Sequence, residues 1–104
     1  MHRIDSHAER RRRGQKPVRE LRGTAAYEYY PLGRHVVVAP GVCGGRPTFK
    51  GTRVEVRTIL DCIRDGHTVA EVLEGYPSVS RAAIKEAIRL AAQALAERCA
   101  LQAA

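Results

Sequence analysis

Fourteen residues, Cys43 to Val56, gather three glycines, a proline and three cations. Glycine-rich backbone beside a lysine is how a Walker loop cradles phosphate, with its N–H groups turned toward the anion. That pattern needs Gly, Lys and Ser/Thr in succession at the mouth of a helix. Here Lys50 precedes Gly51, so a nucleotide cradle is not expected. A nuclease or hydrolase would need converging acids, a Ser–His pair or a metal set. Asp61, Asp65, Glu71 and Glu74 fall on helix-patterned stretches; Glu71 has a cap to make, and Asp65 sits at a helix end that its charge does not favour. His67 comes five residues after Cys62 across a helix end, and His35 opens a strand; both read as structural. No catalytic residue, metal or cofactor is expected, and the chain does not read as an enzyme.

The glycine-rich run is shaped and is not a linker, because Phe49, Val54 and Val56 want burial between glycines that tolerate positive φ. It joins a strand-like run, His35 to Ala39, to a helical half that begins near Val54. Arg46 and Lys50 are its freer cations, suited to DNA phosphate or to an acidic partner surface.

The chain of 104 residues makes one domain at most, with a thin core: it has one Phe and no Trp. Its formal charge of +7 is uneven, with nine cations against four acids in residues 1–34 and nine against seven in residues 35–104. Residues 1–24, with Arg10 to Arg13 at their centre, read as a flexible basic arm too poor in apolar residues to order itself; it either tracks phosphate or is a solvated extension. Three widely spaced cysteines, with no C-x-x-C and no secretory signal, suggest neither a disulfide framework nor a zinc site and fit a reduced cytoplasm. No apolar run approaches the ~20 residues of a membrane span.

Residues 25–40 read as a short β ribbon, Tyr27 to Tyr30 alternating before a Pro31-Leu32-Gly33 turn, and such a ribbon is a natural seam for a homodimer. The loop occupies 41–53 and three helices occupy 54–101. Val56, Ile59, Leu60 and Ile63 make the apolar face of the first, which Gly66 ends; Thr68 with Glu71 forms a capping box for the second. Ser80 can cap the third, Arg81 to about Leu101, on which Arg81, Lys85 and Arg89 line up facing outward. Two short helices, a glycine-containing turn and a longer cationic helix are the grammar of a helix-turn-helix that reads the major groove. A plain helical bundle with a solvated cationic face is the alternative on the residues alone. The expected fold is mainly α: a three-helix, homeodomain-like helix-turn-helix core with a short N-terminal β ribbon and a disordered basic arm.

The loop and the helices after it resemble the bacterial domain-of-unknown-function family 433, whose pattern is gG-x-P-x-i-x-G-T-R-i-x-V, then a helix, a Gly, and a second helix ending at Tyr-Pro. Gly45, Pro47, Gly51, Thr52, Arg53 and Val56 match it, and after them Ile59, Leu60, Gly66, Glu71, Tyr76 and Pro77. The resemblance runs from about Tyr27 to Ala91. It implies that Gly45, Pro47, Gly51, Thr52 and Arg53 shape the loop, Arg53 by bonding carbonyls or a carboxylate such as Glu55 or Asp61. It also implies an antitoxin that binds double-stranded DNA, represses its own promoter and blocks a PIN-like ribonuclease toxin. Arg81, Lys85, Arg89, Arg46 and Lys50 are then the candidate DNA contacts. Leu95 and Leu101, on the alanine-rich end of the third helix, are the candidate partner contacts. The rival expectation is a protein-interaction adaptor that binds no DNA.

Overall fold

The computed structural model describes residues 14–103, with side chains as far as Leu101. Four strands form one antiparallel meander in the order β1-β2-β3-β4: β1 (Val18–Arg22), β2 (Ala25–Pro31), β3 (Val36–Val38) and β4 (Thr48–Phe49). Three helices come next: α1 (Val56–Arg64), α2 (Val69–Gly75) and α3 (Arg81–Ala103). Among the described residues no helix is long and apolar enough to cross a membrane.

The architecture corrects the expected mainly α, helix-turn-helix core with a short ribbon and a disordered arm. A four-stranded sheet carries the helices, so the domain is mixed α/β. Two strands make the difference. β1 lies inside residues 1–24, yet its sequence Val-Arg-Glu-Leu-Arg is almost wholly exposed, so no apolar alternation announces it. It is held by partners on other segments. Arg19 pairs with Glu28 at 3.2 Å, the Tyr29 hydroxyl donates to Glu20 at 2.7 Å, and Arg22 stacks on the Tyr27 ring with 4.9 Å to its centroid. Gly23, at φ 65°, takes the first central position of the two-residue turn into β2, where a hairpin of this hand needs positive φ. β4 has only two residues, too few for alternation to show. The Arg10–Arg13 cluster lies outside the described residues.

The sheet separates two apolar groups. Val36 turns to the helices and joins Phe49, Val56, Ile59, Val72, Val79, Ala83, Ile84 and Ala87, with Ile59 fully buried. Val37 turns the other way and packs with Tyr29 and Ala39, flanked by Tyr27 and Val42, as alternation along a strand demands. Helix ends obey local chemistry. The Thr68 hydroxyl accepts from the Glu71 N–H at 3.1 Å while the Glu71 carboxylate accepts from the Thr68 N–H at 3.0 Å. The Ser80 hydroxyl accepts from the Ala83 N–H at 3.1 Å and opens α3. Gly66, at φ 97°, stops α1.

Besides the shared core, one side chain ties the turn before β3 to α3. The Glu86 carboxylate, half-buried on α3, accepts the consecutive backbone N–H groups of Arg34, His35 and Val36 at 3.0, 2.7 and 2.9 Å. Gly33 leaves the room, since a Cβ there would run into that carboxylate. Burial pushes the Glu86 carboxyl up, but the N–H groups of His35, Val36 and Arg34 outweigh it and hold it below the ordinary value. A depressed folded-state pKa gives stability that is present above the unfolded value, near 4.5, and is lost as pH falls through the folded one. Replacing Glu86→Gln is expected to lower unfolding free energy at neutral pH by about 1–3 kcal/mol. In denaturant titrations the gap from the parent should narrow below pH 4.5; a gap independent of pH would mean that the charge does not matter.

Candidate functional site

Two surfaces carry the residues singled out by the sequence: the glycine-rich loop and α3. The loop begins in a tight turn, Cys43–Gly45, where φ is 49°, 63° and 80° at Cys43, Gly44 and Gly45. The Gly45 N–H donates to the Val42 carbonyl, and the Cys43 thiol reaches the Arg53 carbonyl at 3.4 Å. The Pro47 carbonyl accepts the Val56 N–H at 3.0 Å, so the loop's first arm receives the first turn of α1. A second turn spans Phe49 to Thr52, closed by the Thr52 N–H on the Phe49 carbonyl at 3.0 Å. Gly51, at φ 76°, fills the position that needs positive φ in a type II turn. The Thr52 hydroxyl donates to the Phe49 carbonyl at 2.8 Å and accepts from the Val54 N–H at 3.0 Å.

Two of the loop's cations are consumed within the fold. Arg46 grips Glu55 through two of its guanidinium nitrogens, Nε at 2.7 Å and Nη2 at 3.4 Å. This pair raises the Arg46 pKa and holds the Glu55 carboxyl below its usual range, first through the shared hydrogen bond. It also explains why Glu55, at the head of α1, makes no cap with its side chain. Lys50 stands 3.1 Å from Glu20 and 5.2 Å from the centre of the Tyr29 ring, while the Gly51 N–H donates to the Tyr27 hydroxyl at 3.0 Å. The hairpin β1–β2 is thereby pinned to the loop. Glu20 is held below the ordinary carboxylate range by the Tyr29 hydroxyl first and Lys50 second.

These contacts reverse an expected assignment. Arg46, read as free for phosphate, braces the loop, whereas the Arg53 side chain is exposed and bonds neither Glu55 nor Asp61. Asp61 is held instead by Arg57 at 3.7 Å and Arg64 at 3.3 Å, and Asp65 by Arg64 at 3.0 Å. Glu20, Tyr27 and Tyr29 escape a sequence reading as loop supports, because their partners lie more than twenty residues away and nothing local marks the pairing.

α3 differs from the loop. Ala83, Ile84 and Ala87 are buried, and Arg81, Lys85 and Arg89 are exposed, with no acidic partner among the described residues. At about 100° per residue, Lys85 and Arg89 sit on the side of the helix opposite the buried positions, Arg81 stands about 60° from Ile84, and Arg89 also lines the rim of a groove. From Ala91 to Leu101 every side chain is exposed, Leu95 at 65% and Leu101 at 79%. The groove runs beside this stretch, about 500 Å³, between Leu32, Pro47 and Val56 on one wall and Leu90, Ala94 and Glu97 on the other. Among the described residues no group of His, Cys, Asp and Glu is placed to hold a metal ion.

Fold and loop define a small mixed α/β domain, its sheet joined to its helices through the Gly-Thr-Arg loop and the Glu86 carboxylate. The chain belongs to the family described as "Protein of unknown function (DUF433)", which matches residues 36–91. It is similar to the "Uncharacterized protein y4eO" of Sinorhizobium fredii (strain NBRC 101917 / NGR234), 39% identical over 56 residues that make up 54% of this chain. The match spans 24% of that curated relative's length. No solved structure matches the chain.

The loop geometry predicts the effect of a β-branched residue at Gly51. Positive φ makes Gly51→Val strained, and a Cβ there would also meet the Arg22 guanidinium at 2.9 Å, which can swing aside. A loss of roughly 1–3 kcal/mol is expected from thermal or urea unfolding. A variant as stable as its parent would mean that the turn relaxes freely.

Proposed function

We propose that the chain is a DNA-binding antitoxin that represses its own promoter and neutralises a PIN-like ribonuclease toxin. One observation carries the reading: the exposed cations of α3 are unneutralised. Arg19, Arg22, Arg46, Lys50, Arg57 and Arg64 each have a carboxylate within 3.7 Å. Arg81 and Lys85 have none among the described residues, and they stand one turn apart on the outer side of a long helix. Such cations can displace counterions from phosphate without first breaking an ion pair of their own. An exposed cationic helix needs no helix-turn-helix around it to enter a major groove. The second half of α3 exposes Leu95 and Leu101, and Leu95 offers the toxin an apolar contact separate from the cations.

The rival reading, an adaptor that binds only protein, draws on the same exposed leucines and on the neutralisation of Arg46 and Lys50 by Glu55 and Glu20. Band-shift titrations against the DNA upstream of the gene, at several salt concentrations, decide between them. Parent protein should bind with a steep salt dependence, and Arg81→Ala with Lys85→Ala should reduce the slope by about two contacts times ~0.9. Absent binding by the parent, or an unchanged slope in the double variant, would hand the function to the adaptor reading.

A further inference from the structure

The second half of α3 combines two features that belong together. The helix carries an apolar line, Leu90, Ala94 and Leu101, on one side, because positions seven and eleven apart differ by only about 20° around the axis. On that same side lies the groove, whose far wall is Leu32, Pro47 and Val56. An exposed alanine-rich segment of this length holds its helix only marginally without a neighbour. The groove leaves room for one, and the helix has the shape to be it.

Charge selects the neighbour. Arg89 and Glu97 both line the groove, four residues to either side of Gln93. Neither has an ion-pair partner among the described residues; Glu97 accepts only from Gln93 Nε2, at 3.4 Å. Two α3 helices running antiparallel, with Gln93 at the crossing, set Arg89 of each against Glu97 of the other, twice. A parallel pair would set like against like. Self-complementary surfaces of this kind close on a two-fold axis, with each copy giving and receiving the same contacts.

We infer that the groove is occupied by α3 of a second copy of this chain, packed antiparallel, with Leu101 against the partner groove and reciprocal Arg89–Glu97 pairs at its rim. The inference rests on α3 and not on DNA binding. It engages Arg89, leaves Arg81 and Lys85 on the outer side, and leaves Leu95, about 120° around the helix from Leu101, open to a different protein.

Sedimentation equilibrium on the full chain tests it. The parent should have twice the mass of the 11.5 kDa chain. Arg89→Glu alone and Glu97→Arg alone should each raise the dimer dissociation constant by about tenfold or more, because each places like charges together at both rims. The two changes combined should recover most of the loss. Both positions are exposed in the single chain, so folding is not at stake. Leu101→Asp supplies a further variant that weakens the dimer without touching either charge. A monomeric parent, a dimer indifferent to the single reversals, or a double variant no better than the singles would overturn the inference. Arg81→Ala with Lys85→Ala should leave the mass unchanged, so failure of the DNA reading and failure of this one are read separately.

Discussion

The structure depends on one carboxylate taking three consecutive backbone N–H groups. The turn from Leu32 to Val36 has few means of satisfying itself: the Leu32 and Gly33 N–H groups both donate to the Val36 carbonyl, and the next three N–H groups find their acceptor outside the turn. Left half-buried without acceptors, those of His35 and Val36 would cost about 1–3 kcal/mol each. Glu86 answers all three from α3, some fifty residues later in the chain. Its position also helps to set the phase of the helix. Ala83, Ile84 and Ala87 face the core that holds Val36 and Phe49, Glu86 reaches the turn from beside that buried stripe, and Arg81 and Lys85 face water. The buried stripe of Ala83, Ile84 and Ala87 and the Glu86 clamp together fix which side of the helix presents its cations.

How much of this was legible in the sequence depends on the range of each interaction. The capping box of Thr68 and Glu71, the Gly66 stop and the apolar period of Val56, Ile59, Leu60 and Ile63 are local, and they placed the helices. Gly51 was readable as a positive-φ position for the same reason. β1 was not, because a strand held by Arg19–Glu28, Glu20–Tyr29 and Arg22–Tyr27 looks, one residue at a time, like a basic arm. The Glu86 clamp gave no sign either. A glutamate beside buried alanines on a helix has no local feature that points to a turn before a distant strand.

The loop shows how a motif rich in functional residue types can be used up by structure. Arg46 is neutralised by Glu55, Lys50 by Glu20, and the Thr52 hydroxyl both donates and accepts within its own turn. To offer Arg46 or Lys50 to a phosphate, the protein would have to break an ion pair, and in the case of Lys50 loosen the seam between the β1–β2 hairpin and the loop. Arg53, expected to be the brace, is instead the loop cation with no ion-pair partner among the described residues. Lack of a partner, more than exposure or residue type, therefore separates the cations available to a ligand from those that hold the fold.

The boundary of the family match has a physical counterpart. It ends at Ala91, and from Ala91 to Leu101 no side chain of α3 is buried. At that end the match stops where packing stops, after the part of α3 that Glu86 and Ile84 anchor, whereas β2, with Tyr29 and Tyr30 buried, packs as well but precedes the match. The helix continues because nothing stops it, with alanine favouring helix and no glycine or proline in the run. Propensity alone accounts for a helix there, but it does not account for leucine at 95 and 101, which add apolar surface in water where alanine would extend the helix as well. Those two side chains leave the axis in directions about 120° apart. A single flat partner would cover one of them; covering both requires two neighbours, or one that wraps the helix end.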